Sequence, residues 1–328
     1  MEQTRKWRYG VNRWIILVLI ILGVFAVRSY PPILPHIQLP AEPLFTVFAG
    51  FEWTNTMTAM VIADIIILLL AFGMRRALTS GKLLLNGFWN AFEALLELIY
   101  NLTDSTAGRW AKSIFPFFAT ITLYVLIVNW MELIPGVDSV GKMEYLQSPP
   151  ASVTTYPTQI LGMLGNLKIE TIIKGKAAAE GAVVVPFVRV LSTDLNFTVA
   201  LALIAVTFVQ VFGIRAKGSH YFIKFFNVGG IFKRPVFGLI DFAVSLLELV
   251  SEFSKILSFS FRLFGNIFAG SVLLFVIGTL VPVLAQSGFL LLEFFVGLIQ
   301  AVVFGMLAMI FMSQATQGHE NPDVEASS

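Results

Sequence analysis

Cysteine is absent from all 328 residues, and histidine and charged side chains are scarce. The missing cysteines exclude disulfides, thiolate catalysis, iron–sulfur clusters and cysteine-based zinc sites. Three scattered histidines, His36, His220 and His319, argue against a histidine-based metal site, so no metal or cofactor is expected. Lys, Arg, Asp and Glu make up 13% of the chain, against roughly 25% in soluble domains. Because a soluble protein of this length needs a polar surface, this scarcity of charge excludes a soluble enzyme.

The chain is instead rich in apolar residues. Hydrophobic side chains make up 57% of it, and the mean hydropathy is +0.81. So much Leu, Ile, Val and Phe excludes intrinsic disorder. A net charge of +2 is too small to indicate a nucleic-acid partner. The composition therefore predicts an all-α integral membrane protein in contact with the lipid bilayer.

Five to six apolar runs are long enough to be membrane helices, since about 20 such residues cross ~30 Å of hydrocarbon. The last two, on either side of Glu293, form a long C-terminal helical hairpin that turns near Pro282–Gly288. The first run is short and follows several basic residues, so it fits either a retained anchor helix or a cleaved secretory signal. The runs are 14–27, 51–74, 113–131, 195–214 and the uncharged stretches 263–292 and 294–319.

Lys and Arg are concentrated in alternate loops, which predicts the orientation of the helices. Basic residues precede the first run and follow the second and fourth runs. With the first helix retained, both termini lie in the cytoplasm. We accordingly divide the chain into five segments. They are an anchor with an external Pro-rich segment (1–50), membrane helices (51–138), an external insertion without a readable structural pattern (139–182), an ion-translocating core (183–318) and a polar tail (319–328).

Residues 86–102 have the pattern of an amphipathic helix. Asn86, Asn90, Glu93, Glu97 and Asn101 recur every three or four positions, and apolar side chains fall opposite them. A helix with one polar and one apolar face favours the membrane surface. We expect this helix to lie on the cytoplasmic surface of the bilayer.

A stripe of polar residues runs along the helix predicted for 238–280. Positions seven apart in a helix drift by only ~20°, so six residues of this segment share one narrow face. The stripe either lines an extended partner surface or path, or is a snorkelling and ion-paired set in which Lys255 pairs with Glu252 or Glu248. Its members are Asp241, Glu248, Glu252, Lys255, Arg262 and Asn266.

Arg262 is the residue of the stripe with the strongest functional indication. An arginine inside the membrane costs ~3 kcal/mol on insertion scales, and it cannot deprotonate to avoid that cost. No carboxylate lies within a helical turn of it along the chain. We therefore expect it to face a water-filled cavity, Glu293 across the hairpin, or an acid on another chain.

The final helix carries a second stripe. Glu293 and Gln300 are seven residues apart, and a buried acid and amide need partners or water. We interpret both as residues that line an ion path. Gly297, Ala301, Gly305 and Ala308 form a small-residue ladder, which is typical of close helix packing, and this reading is preferred for Gly305 and Ala308.

Residues 261–270 read FRLFGNIFAG. This string resembles the signature of the subunit a family of F-type ATP synthases, the stator of the ion-translocating membrane sector. NWMELIP at 129–135, STDLNFT at 192–198 and Gln300-Ala301 resemble further segments of that family. The likeness covers roughly residues 52–138 and 183–318, and it leaves residues 1–50 and the insertion without a counterpart.

The resemblance implies a role for several residues. Arg262 would be the family's essential arginine, beside the carboxylate of a rotating ring of c subunits, with Asn266 and Gln300 as its polar companions. Glu248 would line a cytoplasmic half-channel and Glu293 an external one. Ser271 occupies a position where many members carry Glu or His, so a two-residue relay is not expected. Weaker half-channel candidates are Asn129, Glu132, Asp194, Asn196 and Ser271.

The resemblance further implies a multi-pass protein of a bacterial-type plasma membrane. It would be non-catalytic by itself and would assemble with the c ring and with b-type peripheral stalk subunits. The two half-channels would load and unload protons or Na⁺ on the ring and so couple the ion gradient to ATP synthesis. A stand-alone channel or transporter is the alternative. A membrane-embedded enzyme is disfavoured, because the serines near Arg262 have no base beside them along the chain.

Overall fold

The computed structural model describes residues 9–29, 40–48, 50–79, 87–134, 137, 140–146, 158–164, 167–172, 181–218, 221, 225, 235–280 and 284–317. Their helices are α1 (Tyr9–Ser29), α2 (Asn55–Leu78), α3 (Phe88–Ala107), α4 (Ala111–Trp130), α5 (Leu195–Lys217), α6 (Pro235–Leu280) and α7 (Leu284–Thr316). Short 3₁₀ turns at Gly108–Trp110, Met131–Leu133 and Leu191–Thr193 flank α4 and α5.

Five described helical segments are long and apolar enough to cross a membrane. They are Asn55–Leu78, Phe88–Leu133, Leu195–Lys217, Phe242–Gly278 and Ala285–Thr316, with Trp14–Phe25 as a shorter apolar helix. The prediction of an all-α membrane protein with five to six membrane helices is thereby confirmed.

Several predicted boundaries need correction. Residues 51–54 form a strand, and the second membrane helix starts at Asn55 and continues to Leu78. The amphipathic helix begins at Phe88, after Gly87 at φ 60°, and extends to Ala107; Asn86 lies outside the described residues. Gly288 belongs to α7 and not to the hairpin turn, whose residue Pro282 lies outside the described part of the chain. The C-terminal tail 319–328 also lies outside it.

The described residues fall into two compact units. The first contains the described parts of 1–55, 133–189 and 269–295, and the second contains those of 56–132, 190–268 and 296–328. The helices α6 and α7 each pass from one unit to the other without a break.

The second unit is a bundle with tightly packed aromatic and small side chains. Phe117 of α4 lies 4.1 Å from Phe208 of α5, measured between ring centroids. A Cβ at Gly305 would overlap the Thr122 hydroxyl and the Phe118 ring, so α7 approaches α4 closely at this glycine. Lipid tails are as apolar as leucine, so close packing of this kind is what favours helix association in a bilayer. The ladder residues Gly305 and Ala308 are buried, as the sequence predicted.

The first unit contains three short antiparallel β-pairs. Strands β1 (Pro43–Phe48) and β2 (Phe51–Thr54) form a hairpin directly before α2. Within the insertion, β3 (Gly141–Leu146) pairs with β6 (Gly181–Pro186), and β4 (Thr158–Leu164) pairs with β5 (Leu167–Ile172). The all-α description therefore applies to the membrane helices, and the described strands β1 to β6 lie outside them.

Candidate functional site

The contacts between α6 and α7 in the second unit determine the level at which Arg262 lies. Phe259 of α6 packs on Phe304 of α7, with 5.0 Å between ring centroids, and on Phe311, with 5.8 Å. Lys255, one turn before Phe259, has its Nζ 4.8 Å from the centroid of the Phe311 ring, seven residues after Phe304, so the two helices run antiparallel there. Arg262 is three residues after Phe259 and Ala301 is three residues before Phe304, so Arg262 is level with the Gln300-Ala301 pair.

Arg262 is half-buried near the middle of α6, and its guanidinium has few partners. Its Nη2 donates a hydrogen bond of 3.1 Å to the hydroxyl of Ser258, one turn earlier on the same helix. Within the described residues it forms no ion pair. Such a cation needs water or an acid from another chain.

The face of α6 around Arg262 is open to a partner. Asn266, one turn further on, is exposed. Phe261, the residue before Arg262, exposes 53% of its surface and is available to lipid or to another protein. Gln300 on α7 is 9% exposed, so its amide is buried at the level of Arg262.

A buried polar network lies on α6 before Arg262. Glu252 accepts a hydrogen bond of 3.0 Å from Nε2 of Gln210 and is paired with Lys255 Nζ at 2.9 Å. Tyr221 donates to Oε1 of Gln210 at 2.7 Å. A Cβ at Gly213 would overlap the Tyr221 ring, so this glycine lets the ring lie against α5.

This network shows which acid Lys255 pairs with. Lys255 pairs with Glu252, three residues before it, as the ion-pair interpretation predicted. Glu248 is half-buried, and the side chain of Asp241 lies outside the described part of the structure. Gln210 and Tyr221 were missed by the sequence analysis. Gln210 could have been noticed as the one amide in the apolar stretch 197–214.

A second polar network lies where α4 ends and α5 begins. Asn129 Nδ2 donates a hydrogen bond of 3.2 Å to the Gly297 carbonyl of α7, and its Oδ1 accepts one of 2.6 Å from Ser192. A Cβ at Gly297 would lie 3.2 Å from the Asn129 Cβ, so the glycine permits this approach. Glu132 is buried in the 3₁₀ turn that follows α4.

Asp194 belongs to the same network but has a structural task. It is the N-cap of α5: its Oδ1 accepts a hydrogen bond of 2.9 Å from the Asn196 backbone N–H. Its Oδ2 accepts another of 3.1 Å from Thr56. The Asn196 side chain is exposed and is not brought into the network. Ser192 was not selected as a site residue from the sequence, and Thr56 was missed altogether.

Glu293 lies in the first unit, where it packs against α6. It is 4% exposed, and its Oε1 has no hydrogen-bond partner among the described residues. A Cβ at Gly270 would overlap the Glu293 carboxylate, so Gly270 makes room for it. Ser271, the next residue of α6, is also buried. No group of three acidic or histidine side chains within the described ranges is placed to hold a metal ion.

Known proteins are similar to this chain over most of its length. Residues 56–313 match the family described as the ATP synthase A chain. That segment is most of the chain and contains every candidate site residue. The chain belongs to this family. It is therefore an ion-translocating component of the membrane sector of ATP synthase.

Individual bacterial relatives extend over nearly all of the same region. The ATP synthase subunit a of Mycobacterium tuberculosis is 29% identical over 278 residues, which cover 81% of this chain and 88% of the relative. The subunit a of Mycobacterium ulcerans is 28% identical over 281 residues, covering 82% and 89%. That of Helicobacter pylori is 27% identical over 264 residues, covering 79% and 90%. Together with its membrane helices, this likeness makes the chain a multi-pass protein of a bacterial plasma membrane.

Proposed function

We propose that Arg262 separates two aqueous half-channels and acts on the carboxylates of a rotating ring of c subunits. The observation that carries this proposal is the half-exposed guanidinium on an apolar helix, with only a serine hydroxyl as its described partner. An arginine without a counterion among the described residues of its chain is suited to a carboxylate supplied by another chain.

The electrostatics of such a pair explain how ions are released. A carboxylate that reaches Arg262 is stabilised in its ionised form and gives up its proton or Na⁺. At ~4 Å the pair gains about 1 kcal/mol in water and about 4 kcal/mol at an effective dielectric constant of 20. An attraction in this range displaces the ion and still lets the ring move on. The same positive charge repels cations that would pass directly between the half-channels.

The ring carboxylate must be neutral to pass through lipid. A charged acid in the membrane is costly, so each ring site rotates through lipid only when it carries its ion. Loading an ion onto the ring and unloading it again then require two separate paths, one to each side of the membrane. Arg262 stands between these two paths because it attracts the ring carboxylate only in its ionised form.

Two sets of residues are suited to line these paths. We assign Glu293 to the external half-channel, and Asn129, Glu132, Asp194 and Ser271 are weaker half-channel candidates. Glu248 is assigned to the cytoplasmic one. Asn266 and Gln300 lie at the level of Arg262 or one turn away, where they can hydrogen-bond water or the ring site. Asn196 contributes only its backbone N–H to the Asp194 cap.

The partners and orientation follow from the same proposal. The face of α6 around Arg262 and Asn266 is assigned to the c ring. Peripheral stalk subunits of the b type hold the chain against rotation. The basic end of α2 at Arg75 and Arg76 is placed in the cytoplasm, together with both termini. The chain supplies the ion path, and ATP is made elsewhere in the complex.

Replacement of Arg262 tests the proposal. Arg262→Ala is expected to abolish ATP synthesis driven by an ion gradient while the complex still assembles. Arg262→Lys is expected to fail or nearly fail, since lysine offers a point charge and loses its proton when buried. ATP synthesis in inverted membrane vesicles, divided by the amount of assembled complex on a native gel, is the measurement.

The matched control is Arg215→Ala, which removes an exposed cation from the last turn of α5. It should leave synthesis within about twofold of the unmodified protein. Normal coupled synthesis in Arg262→Ala vesicles would refute the assignment. Ion flux through the purified chain without a ring would favour the stand-alone channel instead.

A further inference from the structure

An apolar groove of about 720 Å³ lies in the second unit between α2 and α4. Leu70 and Met74 of α2 form one wall, Phe115 and Ala119 of α4 form the other, and Phe92 of α3 contributes at one end. The groove opens away from the bundle, since Leu68 and Leu78 at its edge expose 67% and 54% of their surface. None of the proposed ion-path residues lines it.

One end of this groove carries a positive charge. Arg75 lines the groove in the last turn of α2, is exposed, and forms neither a hydrogen bond through its side chain nor an ion pair with any described residue. Thr79 lines it one turn later, and its hydroxyl donates to the Arg76 carbonyl at 3.1 Å, which leaves the oxygen lone pairs available. The groove is therefore apolar along its length and cationic at its end.

The length of the groove matches one leaflet of a bilayer. The α2 residues along it run from Ile67 to Thr79, a rise of roughly 18 Å at ~1.5 Å per residue. One leaflet contributes about half of the ~30 Å hydrocarbon thickness. A group held at Arg75 is then at headgroup depth when the rest of the groove is at acyl-chain depth.

The chemistry of the groove indicates what fills it. A lipid acyl chain is apolar and finds apolar walls on both sides. Arginine suits a phosphate group because its planar fork matches the phosphate oxygens.

We propose that this groove is a binding site for an anionic phospholipid, with an acyl chain between α2 and α4 and its phosphate on Arg75. Basic pockets between membrane helices on the cytoplasmic side are suited to anionic headgroups. The proposal does not depend on the role of Arg262, because the groove and the ion path share no residue.

The test uses the intact ATP synthase complex in nanodiscs of phosphatidylcholine. A trace of phosphatidylglycerol carries a diazirine in its acyl chain, and the residues labelled on illumination are mapped by mass spectrometry. We expect labelling of residues 67–79 and 115–123. Excess unlabelled phosphatidylglycerol should compete, and excess phosphatidylcholine should not.

Adjacent arginines supply a matched pair of variants. Arg75→Gln should lower the labelling by about fivefold, the factor that corresponds to about 1 kcal/mol for one arginine near the membrane surface. Arg76→Gln removes the same charge from the next residue, which is exposed but does not line the groove, and should leave labelling unchanged. Equal labelling of the two variants would overturn the proposal.

A second pair tests the groove independently of charge. Ala71→Trp should fill the groove and suppress labelling, while Leu69→Trp, at an exposed position of α2 that does not line the groove, should not. Native gels confirm that each complex is assembled before labelling is compared. Labelling equally strong with a phosphatidylcholine probe, or unaffected by Ala71→Trp, would show that the groove does not recognise an anionic lipid.

Discussion

Arg262 and Glu293 are both ionisable residues in the membrane segment, but they differ in what surrounds them. Arg262 has a hydroxyl partner on its own helix and an open face beside it. Glu293 is almost fully enclosed, and one of its oxygens has no hydrogen-bond partner among the described residues. A buried carboxylate oxygen without a protein partner is suited to water or to an ion in transit.

Glu293→Gln should therefore slow ion flow and change its pH dependence without preventing assembly. A carboxylate can bind a cation and pass it on through water, whereas an amide can only hydrogen-bond. The measurement is passive proton flux through vesicles stripped of the ATPase head, normalised to assembled complex. Glu144→Gln, an exposed acid of β3, is the control and should leave flux unchanged. If Glu293→Gln lowers stability in detergent but leaves flux and its pH profile intact, the residue is only structural.

Two features of α6 and α7 matter at the scale of the helix, namely the length of α6 and the glycines along α7. The 46 residues of α6 rise about 69 Å at ~1.5 Å each, more than twice the hydrocarbon thickness. The predicted long helix is confirmed, and its strong tilt stays a prediction.

Glycines occur where α7 packs closely on its neighbours. Gly297 makes room for Asn129, and Gly305 makes room for Thr122.

A pair of glycines on α7 tests this packing. Gly305→Ala should lower the thermal stability of the complex, because the added methyl would overlap Thr122 and Phe118, and overpacking typically costs 1–3 kcal/mol. Gly288→Ala meets no atom within 4 Å and should leave stability equal or higher, as alanine favours helix more than glycine. Retention of assembled complex on native gels after heating is the measurement. Equal melting of both variants would show that the Gly305 contact does not limit packing.

The chain as a whole combines membrane helices with β-structure outside them. The β1–β2 hairpin is joined to α2 by reciprocal hydrogen bonds: Glu42 N–H donates to Asn55 Oδ1, and Asn55 Nδ2 donates to Glu42 Oε2, both at 3.2 Å. Burial raises the pKa of Glu42 above its ordinary value. Nearby Arg189 lowers the pKa, Glu144 raises it further, and the Asn55 hydrogen bond lowers it.

This raised pKa predicts a pH-dependent stability for the hairpin. The folded protein binds the Glu42 proton more tightly than the unfolded chain, so stability falls as the pH rises from the ordinary carboxylate pKa through the folded value. Hydrogen exchange of amides 43–54, corrected for the intrinsic effect of pH, should show less protection at neutral than at acidic pH. Glu42→Gln should remove this difference, and Glu52→Gln, an exposed acid of β2, should keep it. The same pH dependence in Glu42→Gln would exclude Glu42 as its origin.

Composition and local pattern were sufficient to predict the membrane class and the main helices, and they single out Arg262 as a candidate site residue. These properties depend on a run of apolar residues or on one charge within such a run, and both are visible along the chain. The Asp194 cap and the Glu252–Lys255 pair are also local, since their partners lie two and three residues away.

Contacts between distant residues could be learned only from the folded chain. Ser192 meets Asn129, and Gln210 meets Glu252, across 63 and 42 residues of sequence. No periodicity encodes such pairings, because helix positions 3.6 residues apart specify a face but not the helix that packs on it. The groove beside Arg75 and the space that Gly270 leaves for Glu293 exist only once the helices pack together.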